Sequence, residues 1–136
     1  MHFRQKKRKR GIEKMGKLSR NKGASFERKI ANTFKQIFGN ARRGCGQTQS
    51  SSNGADVEGT PFWIECKKGA RPNIQGAFKQ ALEAKPDNDI RPVLVVSMKD
   101  RDQPLYTVDE KTFILFCQMF SVYHAERRIK EIKSNG

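Results

Sequence analysis

The chain is short of most things that would build a metal-stapled or disulfide-bonded protein. It has three cysteines, at positions 45, 66 and 117, and two histidines, His2 and His124. No Cys-x-x-Cys pair occurs and the cysteines are odd in number. This spacing argues against a structural zinc site and for reduced thiols. No apolar run approaches the length that crosses a bilayer, so no membrane association is expected. No signal-peptide pattern opens the chain, which favours a cytoplasmic protein. No Gly-rich phosphate loop of the nucleotide-hydrolase or dinucleotide type is present, so no nucleotide cofactor is expected.

Acidic residues are also scarce. Lys and Arg total 28 against 14 Asp and Glu, giving a formal net charge of +14 over 136 residues. An excess of this size attracts polyanions, and DNA or RNA is the first candidate. Charge alone carries no base specificity, because phosphate contacts are common to all duplexes. Six basic residues, Arg4, Lys6, Lys7, Arg8, Lys9 and Arg10, lie in one short run. Residues 1–24 therefore read as a flexible basic arm that either binds nucleic acid or is merely solvated.

The remaining pattern fits one α/β domain over 25–121, followed by a charged tail over 122–136 that either frays or, through Ile129 and Ile132, continues a weak helix. Phe26, Ile30, Phe34, Ile37 and Phe38 recur at helical spacing, with Ser25 as a candidate N-cap and Gly39-Asn40 as the stop. Ala41–Cys45 and Ala55–Val57 read as short strands on either side of a polar loop that either wraps a backbone or is plain linker. Residues 61–68 form a central strand. Asn73 caps a helix over 74–85 whose buried face is Ile74, Ala77, Phe78, Ala81 and Leu82. Residues 92–98 are almost continuously apolar, as in a strand covered on both faces. Leu105–Val108 pairs with it, and Asp109 caps a last helix over 110–120. The expected architecture is a mixed sheet between helices.

The chemistry concentrates around the central strand. Strand alternation puts Glu65 and Lys67 on one face, with Trp63, and sends Phe62, Ile64 and Cys66 to the other. Trp63 either packs beside the cleft or stacks on a base. Asp56 arrives on the preceding strand. Two carboxylates can hold one or two Mg²⁺ ions, with Mn²⁺ as a substitute, and the backbone carbonyl of Cys66 can add an oxygen ligand. Such a cation would polarise a phosphodiester while Lys67 stabilises the developing charge. Glu27 is either an ordinary helix acid or a third group completing the cation shell. The alternative is an edge strand carrying solvated charges.

Three pieces carry a resemblance: Lys22-Gly23-Ala24-Ser25-Phe26-Glu27-Arg28, then Gly54-Ala55-Asp56-Val57, then Ile64-Glu65-Cys66-Lys67-Lys68. In order and spacing they resemble the PD-(D/E)xK nuclease superfamily, in particular the small Holliday-junction-resolvase-like endonucleases of archaea and phages. Ala55 departs from the usual proline, which shapes the turn and binds no metal. The resemblance implies a restriction-endonuclease-like core and a Mg²⁺-dependent DNA endonuclease acting on branched duplex in recombination. It implies Glu27, Asp56, Glu65 and Lys67 as the catalytic set, with Gln80 supporting the site or contacting DNA. Arg8, Arg10, Arg42, Arg43, Ser51 and Lys68 are the expected DNA contacts. Relatives of this kind act as two-fold dimers, for which Phe113, Phe116, Met119 and Phe120 offer either an interface or core. Other nucleases on the same core, or a non-enzymatic basic binder, are the alternatives.

Overall fold

The structure is a computed structural model that describes residues 22–44 and 54–136. Expectations for the basic arm and the polar loop, including those for Arg8, Arg10, Cys45 and Ser51, lie outside the described residues. Helix α1 occupies 22–38. Strands β1 (Arg42–Arg43), β2 (Val57–Glu58) and β3 (Trp63–Gly69) follow, then helix α2 (Ile74–Ala84). Strands β4 (Val93–Lys99) and β5 (Leu105–Thr107) lead into helix α3 (Glu110–Ser134). The strands form one five-stranded sheet in the order β1-β2-β3-β4-β5. Only the β3–β4 pair is parallel, with α2 as its crossover; the other three pairs are antiparallel. This is the mixed α/β sheet flanked by helices that the apolar periodicities predict.

Helix α1 covers one face. Phe26, Ile30, Ala31 and Phe34 pack with Val57, Ile64, Leu94, Val96 and Met98. The other face is covered by α2, where Ala77 and Ala81 meet Trp63, Val93 and Val95. Two alanines at helical spacing, Ala77 and Ala81, let the helix pack closely over Trp63. Sheet alternation thus sends Ile64 and Cys66 towards α1, and Trp63 towards α2 on the side predicted for Glu65 and Lys67. Strand β4 is buried from Val93 to Met98, as its unbroken apolar run requires.

Several boundaries differ from the sequence expectation. Ser25 is not an N-cap, because residues 22–24 are already helical and the amides beyond are bonded within the helix. Ile37 and Leu82 belong to apolar stripes but are exposed, Ile37 lying beyond the Phe34–Phe38–Phe62 ring cluster at the helix end. The largest difference is α3. It does not stop near residue 120 or fray into a tail; it runs to Ser134. Charge does not end a helix, and residues 121–134 contain neither Gly nor Pro. Arg127 and Glu131 add an i,i+4 pair at 3.9 Å. Nor are Phe113, Phe116, Met119 and Phe120 core; all four are exposed. Among the described residues no helix is long and apolar enough to cross a membrane.

Candidate functional site

Two glycines fix the approach to the central strand. Gly59 has φ +79°, and a β-carbon there would strike the Asn40 carbonyl. A β-carbon on Gly44 would run into the Ala55 carbonyl oxygen. The Gly44 amide instead donates to the Asp56 carbonyl at 2.9 Å, and the Asp56 amide donates to the Ile64 carbonyl at 2.8 Å. Asp56 is therefore held between two strands just ahead of β2, not inside a strand as the sequence suggested.

At this point its side chain takes over from the backbone ladder. The Asp56 Oδ2 accepts the Cys66 amide of β3 at 2.7 Å. That bond seats the carboxylate beside the residue lying between Glu65 and Lys67. Asp56 is buried, while Glu65 and Lys67 are half-buried. Burial raises the Asp56 carboxyl to about 6, helped by the negative charge of Glu27 and opposed by the Cys66 amide, Lys67 and Arg43. Burial also raises Glu65 to about 7, with the charges of Asp56 and Glu27 adding and that of Lys67 opposing. The Cys66 thiol points to the α1 side, where burial and the same three acids push its pKa up and keep it a neutral thiol.

Glu27 reaches this neighbourhood from α1 and is 9% exposed. It is not an isolated acid: its Oε2 accepts from Arg43 Nε at 2.6 Å. Sequence reasoning expected Arg43 as a DNA contact and overlooked this pair, since residues sixteen apart on a helix and a strand give no spacing signal. Arg42 is exposed and donates to the Asn40 carbonyl at 3.2 Å. Gln80 lies exposed on the outer flank of α2. Trp63 is 3% exposed, which removes base stacking and leaves the packing role.

Beside the acids opens a cleft of about 730 Å³ lined by Lys22, Lys67, Lys68 and Arg101, with Asp100 as the one acid among its described lining residues. Lys22 and Arg101 were not singled out from sequence. Arg101 joins the β3 lysines because β3 and β4 run parallel, so both strands deliver their C-terminal turns to one edge, where Lys22 arrives from α1. The Asp100 amide donates to the Gly69 carbonyl at 3.1 Å, tying the two exits together.

On the opposite end of the sheet Arg91 forms a hub that sequence gave no reason to expect. Its guanidinium meets Asp89 Oδ2 at 2.7 Å and Glu58 Oε2 at 3.0 Å, and lies 5.2 Å over the Trp63 ring. These contacts raise the Arg91 pKa further and tie β2 to the approach of β4.

The chemistry of the donor set fits a hard divalent cation in a limited way. Among the described residues no group of three or more His, Cys, Asp or Glu is gathered to hold a metal ion. Two carboxylates are enough for Mg²⁺, which keeps most of its waters and takes the rest from substrate phosphate. The charge of Asp56 raises the proton affinity of Glu65, and a cation bound between them would relieve that repulsion. Comparison with family models, with curated proteins and with solved structures finds no match to this chain.

Proposed function

We propose that the chain is a divalent-cation-dependent DNA endonuclease built on a restriction-endonuclease-like core, with branched duplex as its preferred substrate. The observation that carries this reading is the Asp56 carboxylate hydrogen-bonded at 2.7 Å to the Cys66 amide, between Glu65 and Lys67 on the face of β3. Asp56 and Glu65 would hold Mg²⁺, or Mn²⁺ in its place, with the Cys66 carbonyl as a further oxygen donor. When bound, the cation supplies Lewis-acid charge to a phosphodiester and makes a water more acidic. Lys67 places a fixed positive charge where the transferred phosphate becomes more negative. Glu27, engaged by Arg43, adds its negative charge to the field at the two acids and would complete the cation's shell. Lys22, Lys68 and Arg101 line the path of the phosphate backbone, and Gln80 is available to DNA from the exposed flank of α2.

A second reading is a basic DNA-binding protein without catalysis. The ion pair that occupies Glu27 favours it, because it takes one acid out of the direct donor set. Cleavage assays separate the two. Four-way junctions, flaps, linear duplex and single strands are incubated with wild type and Glu65→Gln in Mg²⁺, in Mn²⁺ and in chelator. The expected result is metal-dependent cutting, strongest on the junction, lost in Glu65→Gln while DNA binding is retained. Binding without cutting in either cation would establish the second reading, and equal cutting of every substrate would remove the preference for branches.

A further inference from the structure

The guanidinium of Arg43 meets Glu27 through Nε alone, at 2.6 Å. The two Nη groups, on the other edge of the fork, bond to no group among the described residues. The Arg43 side chain is 25% exposed and that of Glu27 is 11% exposed, so the pair has a buried acid end and a cation end that solvent reaches. Arg42 beside it differs, because its Nη1 is bonded to the Asn40 carbonyl.

Sheet order places this fork next to the acids. Arg43 lies on β1 opposite Val57 of β2, one residue from Asp56, and Glu65 follows on β3. The basic cleft opens on the other flank, at the exits of β3 and β4, and its Gly23 lies one helical turn before Glu27. Strands β1 and β3 are two strand spacings apart, roughly 10 Å. A polyanion that follows the cleft past Glu65 therefore next meets Arg43.

Without a ligand the pair stays closed, because releasing Arg43 leaves Glu27 buried and uncompensated. A phosphate offers the Nη edge two oxygens in the bidentate geometry that a guanidinium favours. It then competes for the single positive charge and weakens the bond to Glu27. A divalent cation at Asp56 and Glu65 acts from the other end. It attracts the Glu27 carboxylate, whose charge already reaches both acids, and leaves Arg43 in need of an anion. Each ligand compensates the group that the other leaves behind, and linkage makes the coupling equal in both directions.

We propose that the Arg43–Glu27 pair is a latch opened by DNA: a backbone phosphate takes Arg43 and frees Glu27 to complete the cation's shell. This rests on the cation site and the DNA substrate proposed above, and it names the residue that couples the two. The pair that withholds Glu27 from the cation in the free protein supplies it in the complex.

Mn²⁺ binding to the full chain, read by electron paramagnetic resonance with and without a four-way junction, tests the latch. A Lys67→Ala background keeps the acids and leaves the junction uncut, and the Mn²⁺ held by DNA alone is subtracted. Adding DNA is expected to tighten Mn²⁺ binding about tenfold, within the ~5–150-fold range of coupled sites. Arg43→Gln should bind Mn²⁺ more tightly without DNA and lose most of the gain on adding it, with unchanged circular dichroism. Arg43→Lys, which keeps the charge, should retain most of the gain. With Glu27→Gln already in place, Arg43→Gln should change Mn²⁺ affinity little. An equal DNA-induced gain in Arg43→Gln overturns the latch. So does an effect of Arg43→Gln that persists in full beside Glu27→Gln, since that is charge acting without the pair. Mn²⁺ binding that is absent, or indifferent to Glu65→Gln, removes the cation site itself and the latch with it.

Discussion

At the residue scale, Asp56 and Glu65 govern how the protein responds to protons. Their carboxyls are raised to about 6 and about 7 in the folded chain, chiefly by burial. The folded state therefore holds protons that the unfolded chain has lost. The resulting contribution to stability is complete below about pH 4 and is lost as pH rises through 6 and then 7. Urea unfolding without divalent ions should show stability falling across that window, and added Mg²⁺ should offset the loss at its upper end. The opposite trend would contradict the raised carboxyls. Arg43 acts on the same cluster through charge. Arg43→Ala leaves the Glu27 carboxylate buried without its partner and should cost about 1–3 kcal/mol. It also removes a positive charge that lowers the Asp56 pKa, so the Asp56 titration followed by carbon-detected NMR should move further up. Little of this was legible in sequence. Alternation on β3 places Glu65 and Lys67 together, but the Cys66 amide that seats Asp56 and the Arg43 that engages Glu27 come from folding.

At the element scale, the close approaches decide the site. Gly44 lies where β1 meets the Ala55 carbonyl, so Gly44→Ala must push β1 away and lengthen the bond that seats Asp56. The expected result is a loss of about 1–3 kcal/mol, by the cost of overpacking, and weakened cleavage at unchanged DNA affinity. A fully active, equally stable variant would show that Gly44 does not position Asp56. Helix α2 supplies the parallel example on the other face. Ala81 is fully buried in the cluster that contains Trp63, and Ala81→Leu should cost a similar ~1–3 kcal/mol in chemical denaturation. The helices and β4 were readable because their apolar periodicities are long. Strands β1 and β2, of two residues each, were placed one or two residues off because only tertiary hydrogen bonds define them. The length of α3 was missed for a different reason: a charged helix and a charged tail share a composition, and only the absence of breakers separates them.

At the scale of the whole molecule, charge and shape point to one edge. The net charge of +14 draws any polyanion. The parallel β3–β4 pair concentrates Lys67, Lys68 and Arg101 where Lys22 also arrives. DNA binding should therefore weaken steeply with salt, by roughly one log unit of affinity per log unit of salt for each phosphate neutralised. Lys68→Ala should lower that slope by about one unit and affect all DNA sequences alike. A slope unchanged by Lys68→Ala would take the cleft out of the binding surface.

The sequence by itself determined the α/β class, the two helices that sandwich the sheet, the doubly covered β4, and the pairing of Glu65 with Lys67 on one face of β3. These follow from local periodicity, which each segment carries alone. Tertiary structure decided where Asp56 sits, that Glu27 is engaged by Arg43, that Trp63 is sealed beneath α2, and that Lys22 and Arg101 share a cleft with the β3 lysines. It also decided that the apolar half of α3 faces outward. Each of these joins residues far apart in the chain, and the contacts exist only once the sheet has set its strand order and direction.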